Sequence, residues 1–167
     1  ENRSCQQPEL SRSWVKTQHD RGWNVVPIWV DLQAPKAGGS IGRCVDHPFT
    51  GTTMSPRNAS ARAQGSRAAD RAIARARDLG IAKGSTLFLD IESYKNQFSE
   101  CNQPVQNFQS GWSKRLHSQG WKSGYYSSRL EGTLPDGKLA KSEVFFVVRA
   151  AEPGKNAKVL IELSTNT

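Results

Sequence analysis

Asp90 and Glu92 stand two residues apart at the end of the apolar run that begins at Thr86. Alternate residues of a strand share a face, so both carboxylates would point the same way, while Leu89 and Ile91 would point towards covering helices. Two carboxylates on one face repel each other. Together with partial burial, this repulsion raises at least one pKa and leaves a protonated acid beside an ionised partner. Cleavage of a glycosidic bond uses such a pair.

The position of each carboxylate suggests its role. Glu92 lies nearer the mouth of the site and is predicted to be the general acid, and Asp90 is predicted to be the electrostatic partner or the nucleophile. In the competing interpretation, Glu92 pairs with an arginine and Asp90 takes part in a loop hydrogen bond. A buried apolar strand that leads into a long loop favours the catalytic interpretation.

Further side chains are candidates for substrate binding. Asp31 and Gln33 alternate along the preceding strand and are expected to face the same interior as the acids, where they would bind sugar hydroxyls. Trp29 would either stack on a sugar ring or fill the core. Tyr94 follows the acid pair. In the segment 124–127 one of two adjacent tyrosines must face inward, where it would hydrogen-bond the nucleophile or pack with its hydroxyl satisfied.

An amphipathic helix, a glycine and an apolar strand recur three times along the chain. The helices are predicted at 11–21, 59–79 and 104–119, and the strands at 23–30, 86–92, 121–127, 143–148 and 158–163. Helices that alternate with apolar strands predict an α/β fold with a parallel sheet. Five strands are too few to close an eight-stranded barrel, so either the sheet is open or the chain is a fragment of one.

The loops that leave the strands are longer than those that enter them. They cover 31–57, 93–103 and 127–141. Because α/β proteins build their sites at the carboxyl ends of strands, the loop 31–57 is predicted to cover the substrate. One domain is expected over 1–167, with the tail 152–167 unassigned.

Charge and hydropathy indicate which classes of molecule this chain could bind. The 167-residue chain has a net charge of +8 and a pI near 9.7, which favours anionic cell-wall polymers, membrane surfaces or nucleic acid. The basic residues are spread out, which makes specific nucleic-acid binding the least favoured of these. No apolar run is long enough for a transmembrane helix. No signal peptide is present, so an exported protein would have its targeting segment removed or outside this chain.

Three cysteines, Cys5, Cys44 and Cys101, cannot all pair within one chain, and their spacing is not that of a zinc site. One disulfide in an oxidising compartment is expected, with the partner of the third cysteine outside this chain; three ordinary thiols are the alternative. The histidines do not cluster, and the chain has neither a nucleophile elbow nor a phosphate-binding glycine loop. Neither a metal nor a cofactor is therefore expected.

Several motifs recur in the order and spacing of a known family. They are Cys5-x-x-Pro8, Gly22-Trp23, Leu32-Gln33-Ala34-Pro35, Asp90-x-Glu92-x-Tyr94 and Gly124-x-Tyr126-Ser127. Over residues 1–130 the chain resembles the glycoside-hydrolase-like domain once catalogued as DUF1906, found in exported proteins chiefly of actinobacteria. The resemblance implies a (β/α) TIM-barrel fold similar to the family 25 lysozymes. It also implies an acidic pair at Asp90 and Glu92, with Tyr126 as the tyrosine of the site.

The opening strand of that family, with its own aspartate and a cysteine, is absent from this chain. The barrel is therefore expected to be incomplete, and a partner chain or domain is a candidate to complete it. The resemblance implies a secreted or cell-surface protein that hydrolyses a cell-wall or extracellular glycan, with peptidoglycan as the first candidate polysaccharide. A catalytically silent barrel that binds glycan as an adaptor or structural module is the alternative, and a nucleic-acid binder is the third choice.

Overall fold

The computed structural model describes residues 7–36, 42–45, 51–127, 144–147 and 160–162. Cys5 and most of the tail 152–167 lie outside these residues. Within the described ranges, the helices and strands are α1 (Arg12–Asp20), β1 (Ile28–Val30), α2 (Asn58–Asp78), β2 (Thr86–Asp90), α3 (Ser99–Ser118), β3 (Lys122–Ser127), β4 (Val144–Val147) and β5 (Leu160–Glu162). No helix in this part of the chain is both long and apolar enough to span a membrane.

Residues with capping roles mark the ends of the helices. Ser11 precedes α1, and its Oγ accepts a hydrogen bond from the N–H of Trp14 at 3.2 Å. This bond satisfies one of the free donors of the first turn. Gly22, Gly80 and Gly120 follow the three helices with φ angles of 86°, 78° and 74°. Because glycine adopts this left-handed backbone without a steric penalty, the chain turns back towards the sheet at the three predicted positions.

The start of α3 differs from the prediction. The sequence predicted this helix over 104–119. In the structure, α3 begins at Ser99 and Pro104 lies inside it, where it removes one backbone donor. The additional turn carries Cys101, whose disulfide to Cys44 joins the start of the helix to another segment.

The five strands form one sheet in the order β1-β2-β3-β4-β5. β1 to β4 run parallel to one another, and β5 lies antiparallel against β4. The register places Trp29, Leu89 and Tyr125 in one row across the sheet, and Asp90 and Tyr126 in the next row. Successive rows point to opposite faces. The predicted α/β class is confirmed, with the antiparallel β5 as a departure from an all-parallel sheet.

α2 and α3 cover one face of the sheet. Leu87 and Leu89 of β2, and Ile91 just beyond it, are buried against these helices. The helices supply small side chains from α2 and mostly large ones from α3, namely Ala61, Ala68, Ala69, Ala72, Ile73, Ala76, Val105, Phe108, Trp112 and Leu116. Full burial of each large apolar side chain stabilises the fold by roughly 1.5–3 kcal/mol. The alternate residues of β2 are left to form the opposite face.

α2 and α3 lie side by side, with partners 45 positions apart in the sequence. Hydrogen bonds join the pairs Asn58–Gln103, Arg62–Asn107, Ser66–Gly111 and Asp70–Arg115. Two glycines allow this close approach. A Cβ on Gly65 would lie 2.0 Å from the carbonyl oxygen of Phe108, and a Cβ on Gly111 would lie 2.0 Å from that of Arg62. No larger residue fits at either position without moving the helices apart.

Replacement of Gly111 by alanine is expected to destabilise the protein by about 1–3 kcal/mol, because the added methyl group would push α2 away from α3. In an ordinary helix the same change stabilises by about 1 kcal/mol, so the sign of the effect reports on the contact. Urea unfolding of Gly111→Ala, beside the exposed control Ser60→Ala, measures this difference. A Gly111→Ala variant as stable as the parent would contradict the close packing.

Candidate functional site

The predicted acid pair lies at the carboxyl end of β2, on the face of the sheet opposite α2 and α3. Asp90 is the last residue of the strand and is partly buried, whereas Glu92 lies two residues further on and is exposed. Tyr126 of β3 pairs in register with Asp90 and is partly exposed. The structure therefore brings Asp90, Glu92 and Tyr126 to one edge of the sheet.

Phe88 lies beside Asp90 on the same face of β2. It is buried and packs against Gly124 of β3, where a Cβ would come within 2.3 Å of the phenyl ring. The absence of a side chain at Gly124 leaves the space that the ring occupies. The buried ring is the apolar neighbour that precedes Asp90 on this face of β2.

The two carboxyl groups differ in their surroundings. The pKa of Asp90 is raised from 3.8 to about 6, with burial as the larger cause and the negative charge of Glu92 as the smaller one. A carboxyl group with this pKa keeps its proton in mildly acidic solution. The sequence predicted the acid role for the residue nearer the mouth. Because burial is the larger cause, the shift falls on the deeper residue.

Gln33 lies next to the acids, but its side chain binds the backbone. The Nε2 of Gln33 donates to the carbonyl oxygen of Asp90 at 3.0 Å, and its Oε1 accepts from the N–H of Glu92 at 2.8 Å. Only 2% of Gln33 is exposed. The geometry therefore assigns its carboxamide to the protein backbone, in place of the predicted contact with sugar hydroxyls.

Asp31 points away from the acids, so its predicted orientation was wrong. Its two carboxylate oxygens accept hydrogen bonds from Nη2 of Arg71 on α2 at 2.9 and 2.7 Å. Its Oδ2 also accepts from the indole N–H of Trp29 at 2.7 Å. Asp31 is 5% exposed, and a buried carboxylate of this kind requires such a cation.

The strand register explains this orientation. Trp29 pairs with Leu89, so it lies on the face that α2 and α3 cover, and the alternation carries Asp31 to the same side. The residues of β1 on the acid face are Val30, which pairs with Asp90, and Ile28, which pairs with Phe88. The prediction placed the polar residues of neighbouring strands on one face, but the register offsets them by one position.

Tyr94 also lies away from the acid face. It is 4% exposed and belongs to the core, where its hydroxyl donates to Oδ1 of Asn102 on α3 at 2.8 Å. Burial raises the pKa of this hydroxyl far above its ordinary value. Tyr125 is likewise buried in the core, which leaves Tyr126 as the tyrosine of β3 on the acid face.

The loop that was predicted to cover the substrate is joined to the segment beyond the acids. Cys44 forms a disulfide with Cys101, so the expected disulfide is present. Val45 forms an antiparallel bridge with Tyr94, and the N–H of Lys95 donates to the carbonyl oxygen of Cys44 at 2.7 Å. Residues 42–45 of this loop therefore hold the chain directly after Glu92.

An apolar cavity of about 660 Å³ lies between α1, β1 and α2. Trp29 lines it together with Trp14 and Ile28, whereas neither acid does. Of the two predicted roles of Trp29, sugar stacking and core filling, its packing against the core favours the second. This cavity is separate from the edge of the sheet that carries the acids.

The described side chains of the acid face suit a few kinds of chemical step. Two carboxyl groups and a phenol can transfer protons, stabilise positive charge and accept or donate hydrogen bonds. Within the described residues, no group of three or more His, Cys, Asp or Glu side chains is arranged to hold a metal ion. The arrangement therefore suits acid–base chemistry carried out by the chain's own side chains.

Comparison with known proteins identifies the family. The family model described as Rv2525c-like, glycoside hydrolase-like domain matches residues 1–156. The chain belongs to this family. The resemblance suggested by the motifs is thereby confirmed, and a glycan-related function in general is supported. A comparison with curated proteins finds no match.

One solved structure resembles this glycoside hydrolase-like domain in fold. It is a crystal structure of an uncharacterized B. stearothermophilus protein, with a TM-score of 0.54 and 21% sequence identity. The match covers 92% of this chain and 63% of the other. The chain thus spans about 63% of the length of that protein, and the likeness concerns the fold alone.

Arg71 is the partner of Asp31 that the sequence did not reveal. At a spacing of four residues, Arg67, Arg71 and Arg75 have the pattern of the water-facing side of a helix. In the structure Arg71 binds Asp31, and Nη2 of Arg75 donates to the carbonyl oxygen of Leu10 at 3.2 Å. An acidic residue on the helix-covered face of a strand predicts a cationic partner on the covering helix, because a buried carboxylate requires one.

Asp90→Asn is expected to be more stable than the parent at neutral pH. The folded protein holds the Asp90 proton more tightly than the unfolded chain between pH 3.8 and about 6, so the stability that this proton contributes is lost as the pH rises through that window. Asparagine has the same shape and does not ionise. Calorimetric melting below pH 3.8 should show no advantage for the variant, with the exposed Glu9→Gln as a control. An Asp90→Asn variant that melts below the parent at neutral pH would count against a buried, proton-holding carboxyl.

Loss of the disulfide is expected to lower the free energy of unfolding by about 4 kcal/mol, because the bridge restricts the unfolded chain across a separation of 57 residues. The double variant Cys44→Ser/Cys101→Ser removes the bridge. Denaturant unfolding of this variant should match that of the parent in reductant. If parent and variant unfold together under non-reducing conditions, the bridge does not constrain the chain as described.

Proposed function

We propose that this protein is a glycoside hydrolase that cleaves a cell-wall or extracellular glycan, with peptidoglycan as the first candidate, by carboxylate acid catalysis. One observation carries the proposal. Asp90 and Glu92 share one face at the carboxyl end of a buried parallel strand, and Asp90 has a pKa of about 6. Membership of a glycoside hydrolase-like family supports the same substrate class.

The proposed roles follow from burial. Asp90 holds a proton in mildly acidic solution and donates it to the oxygen of the leaving sugar, so that the glycosidic bond breaks without releasing an alkoxide. Glu92 supplies the negative charge that faces the positive charge developing on the sugar ring. Water then forms a bond to the anomeric carbon and gives its proton to the Asp90 carboxylate, which restores the acid. These assignments exchange the roles predicted from the sequence, since depth rather than proximity to the mouth determines which carboxyl keeps the proton.

Tyr126 is the substrate-binding candidate that the geometry favours. It is partly exposed beside Asp90, whereas Trp29, Asp31 and Tyr94 lie on the helix-covered side. A phenol hydroxyl donates and accepts hydrogen bonds, and its ring presents an apolar surface to a sugar. We therefore propose that the substrate contacts lie on β2 and β3.

The sheet also supports a proposal for the architecture. We propose that this chain forms part of a (β/α) barrel and that the acids lie on the inner face of that barrel. β1 is the terminal strand of the described sheet. Beside it lies the apolar cavity of about 660 Å³, where Trp14 and Ile28 are exposed by 40% and 45%. Apolar surface next to a strand edge suits a further strand, which would come from another segment, domain or partner chain.

A secreted or cell-surface location is part of the same proposal. The disulfide between Cys44 and Cys101 suits an oxidising compartment. The net charge of +8 would retain the protein on an anionic cell wall and favour its encounter with an acidic polysaccharide. Both properties agree with a glycan substrate outside the cell.

Soluble fragments released from purified peptidoglycan, measured by mass spectrometry, test the proposed activity. We expect the parent protein to release sugar fragments, and Asp90→Asn and Glu92→Gln to reduce this release by roughly 100-fold or more. Release should decline above about pH 6 as Asp90 loses its proton. Binding of all three proteins without any release would replace the enzyme proposal with the silent, glycan-binding barrel.

An activated substrate separates the roles of the two carboxyls. An aryl glycoside whose leaving group is weakly basic needs no proton from an acid. Asp90→Asn should therefore retain much of the parent's rate on such a substrate, while Glu92→Gln should not. The reverse pattern would make Glu92 the acid, as the sequence predicted.

A further inference from the structure

The side chain of Gln33 completes the edge of β2 beside the acids. β1 ends at Val30, opposite Asp90, so the strand pairing on this side stops before it reaches Glu92. The Gln33 carboxamide continues it, with Nε2 on the carbonyl oxygen of Asp90 and Oε1 on the N–H of Glu92. A carboxamide has the same donor and acceptor as a peptide group, so one side chain takes the place of a missing strand residue.

The other edge of the same segment is held by β3. The N–H of Ile91 donates to the carbonyl oxygen of Tyr126 at 3.1 Å. Asp90, Ile91 and Glu92 are therefore held from both sides, by the β3 backbone on one side and by Gln33 on the other. With both edges bound, the alternation of a strand persists beyond the end of β2 and keeps the two carboxyl groups on one face.

The backbone of Gln33 is itself fixed. Its N–H donates to the carbonyl oxygen of Thr52 at 3.1 Å, and its carbonyl oxygen accepts from the N–H of Met54 at 2.8 Å. These bonds do not involve the side chain, so we expect a folded Gln33 variant to keep them. They make Gln33 the connection between the chain at 52–54 and the backbone of the acid pair.

We infer that Gln33 is the positioning residue of the acid pair, which sets the separation and orientation of the Asp90 and Glu92 carboxyl groups through their backbone. The hydrogen bonds of the Gln33 side chain to these two residues reach their main chain, so Gln33 acts on the carboxyl groups through the backbone. The inference rests on the proposed function in one respect, since it matters for catalysis only if these acids are the reaction centre.

Gln33→Met tests the inference, because methionine has a similar length and makes neither hydrogen bond. The matched control is Gln64→Met. The Oε1 of Gln64 also accepts a hydrogen bond from a backbone N–H, that of Ser55 in the loop 31–57, at 2.8 Å. We expect Gln33→Met to lower kcat on the glycan by roughly 100-fold with little change in KM, and Gln64→Met to leave both close to the parent. Equal effects of the two substitutions would overturn the inference.

A second readout does not depend on hydrolysis. The carboxyl carbon of Asp90, followed by NMR against pH, should titrate lower in Gln33→Met than in the parent, because a freed strand end admits water to the carboxyl group. In Gln64→Met its titration should be unchanged. An unchanged Asp90 titration in Gln33→Met would overturn the positioning role, whether or not the parent protein hydrolyses glycan. This readout therefore tests the role of Gln33 independently of the proposed hydrolase function.

Gln33→Asn guards against a variant that does not fold. It keeps a carboxamide but is one methylene shorter, so it cannot reach both the Asp90 carbonyl oxygen and the Glu92 N–H. We expect the same direction of change in the Asp90 titration as in Gln33→Met. A folded Gln33→Asn protein with the parent's titration would refute the inference.

Discussion

The satisfaction of polar groups at the carboxyl end of β2 is the constraint on which the rest of the site depends. Asp90 lies where an apolar strand ends, so its carboxyl group is partly buried and its backbone needs hydrogen-bond partners. Gln33 donates to the carbonyl oxygen of Asp90 and accepts from the N–H of Glu92, and β3 accepts from the N–H of Ile91 between them. The same burial that makes the backbone bonds necessary also raises the pKa of the carboxyl group. Structure and proposed chemistry therefore share one physical origin.

Much of the architecture could be predicted because it follows from local patterns. The helix–glycine–strand repeat predicted three helices that appear at Arg12–Asp20, Asn58–Asp78 and Ser99–Ser118, and five strands that form one sheet. Alternation along β2 correctly separated the core residues Leu87 and Leu89 from the acids. These features depend on periodicity and on the conformational freedom of glycine, both of which are visible in a single sequence.

The orientation of residues on neighbouring strands could not be predicted in the same way. Asp31 was predicted to lie on the same face as the acids. In the structure Val30 pairs with Asp90, and the Asp31 side chain points towards Arg71. Register depends on contacts between distant segments, and a shift of one residue moves every side chain to the other face. The role of Gln33 was hidden for a similar reason, since its partners are 57 and 59 residues away in the sequence.

The burial of the Asp90 carboxyl group can be tested by NMR titration of its carboxyl carbon, in the parent protein and in Glu92→Gln. We expect a midpoint near pH 6 in the parent, and a lower but still raised midpoint in Glu92→Gln, because burial is the larger cause of the shift. A midpoint near 3.8 in the parent would contradict a buried, proton-holding carboxyl group. So would a shift that disappears entirely in Glu92→Gln, since charge repulsion alone would then explain it.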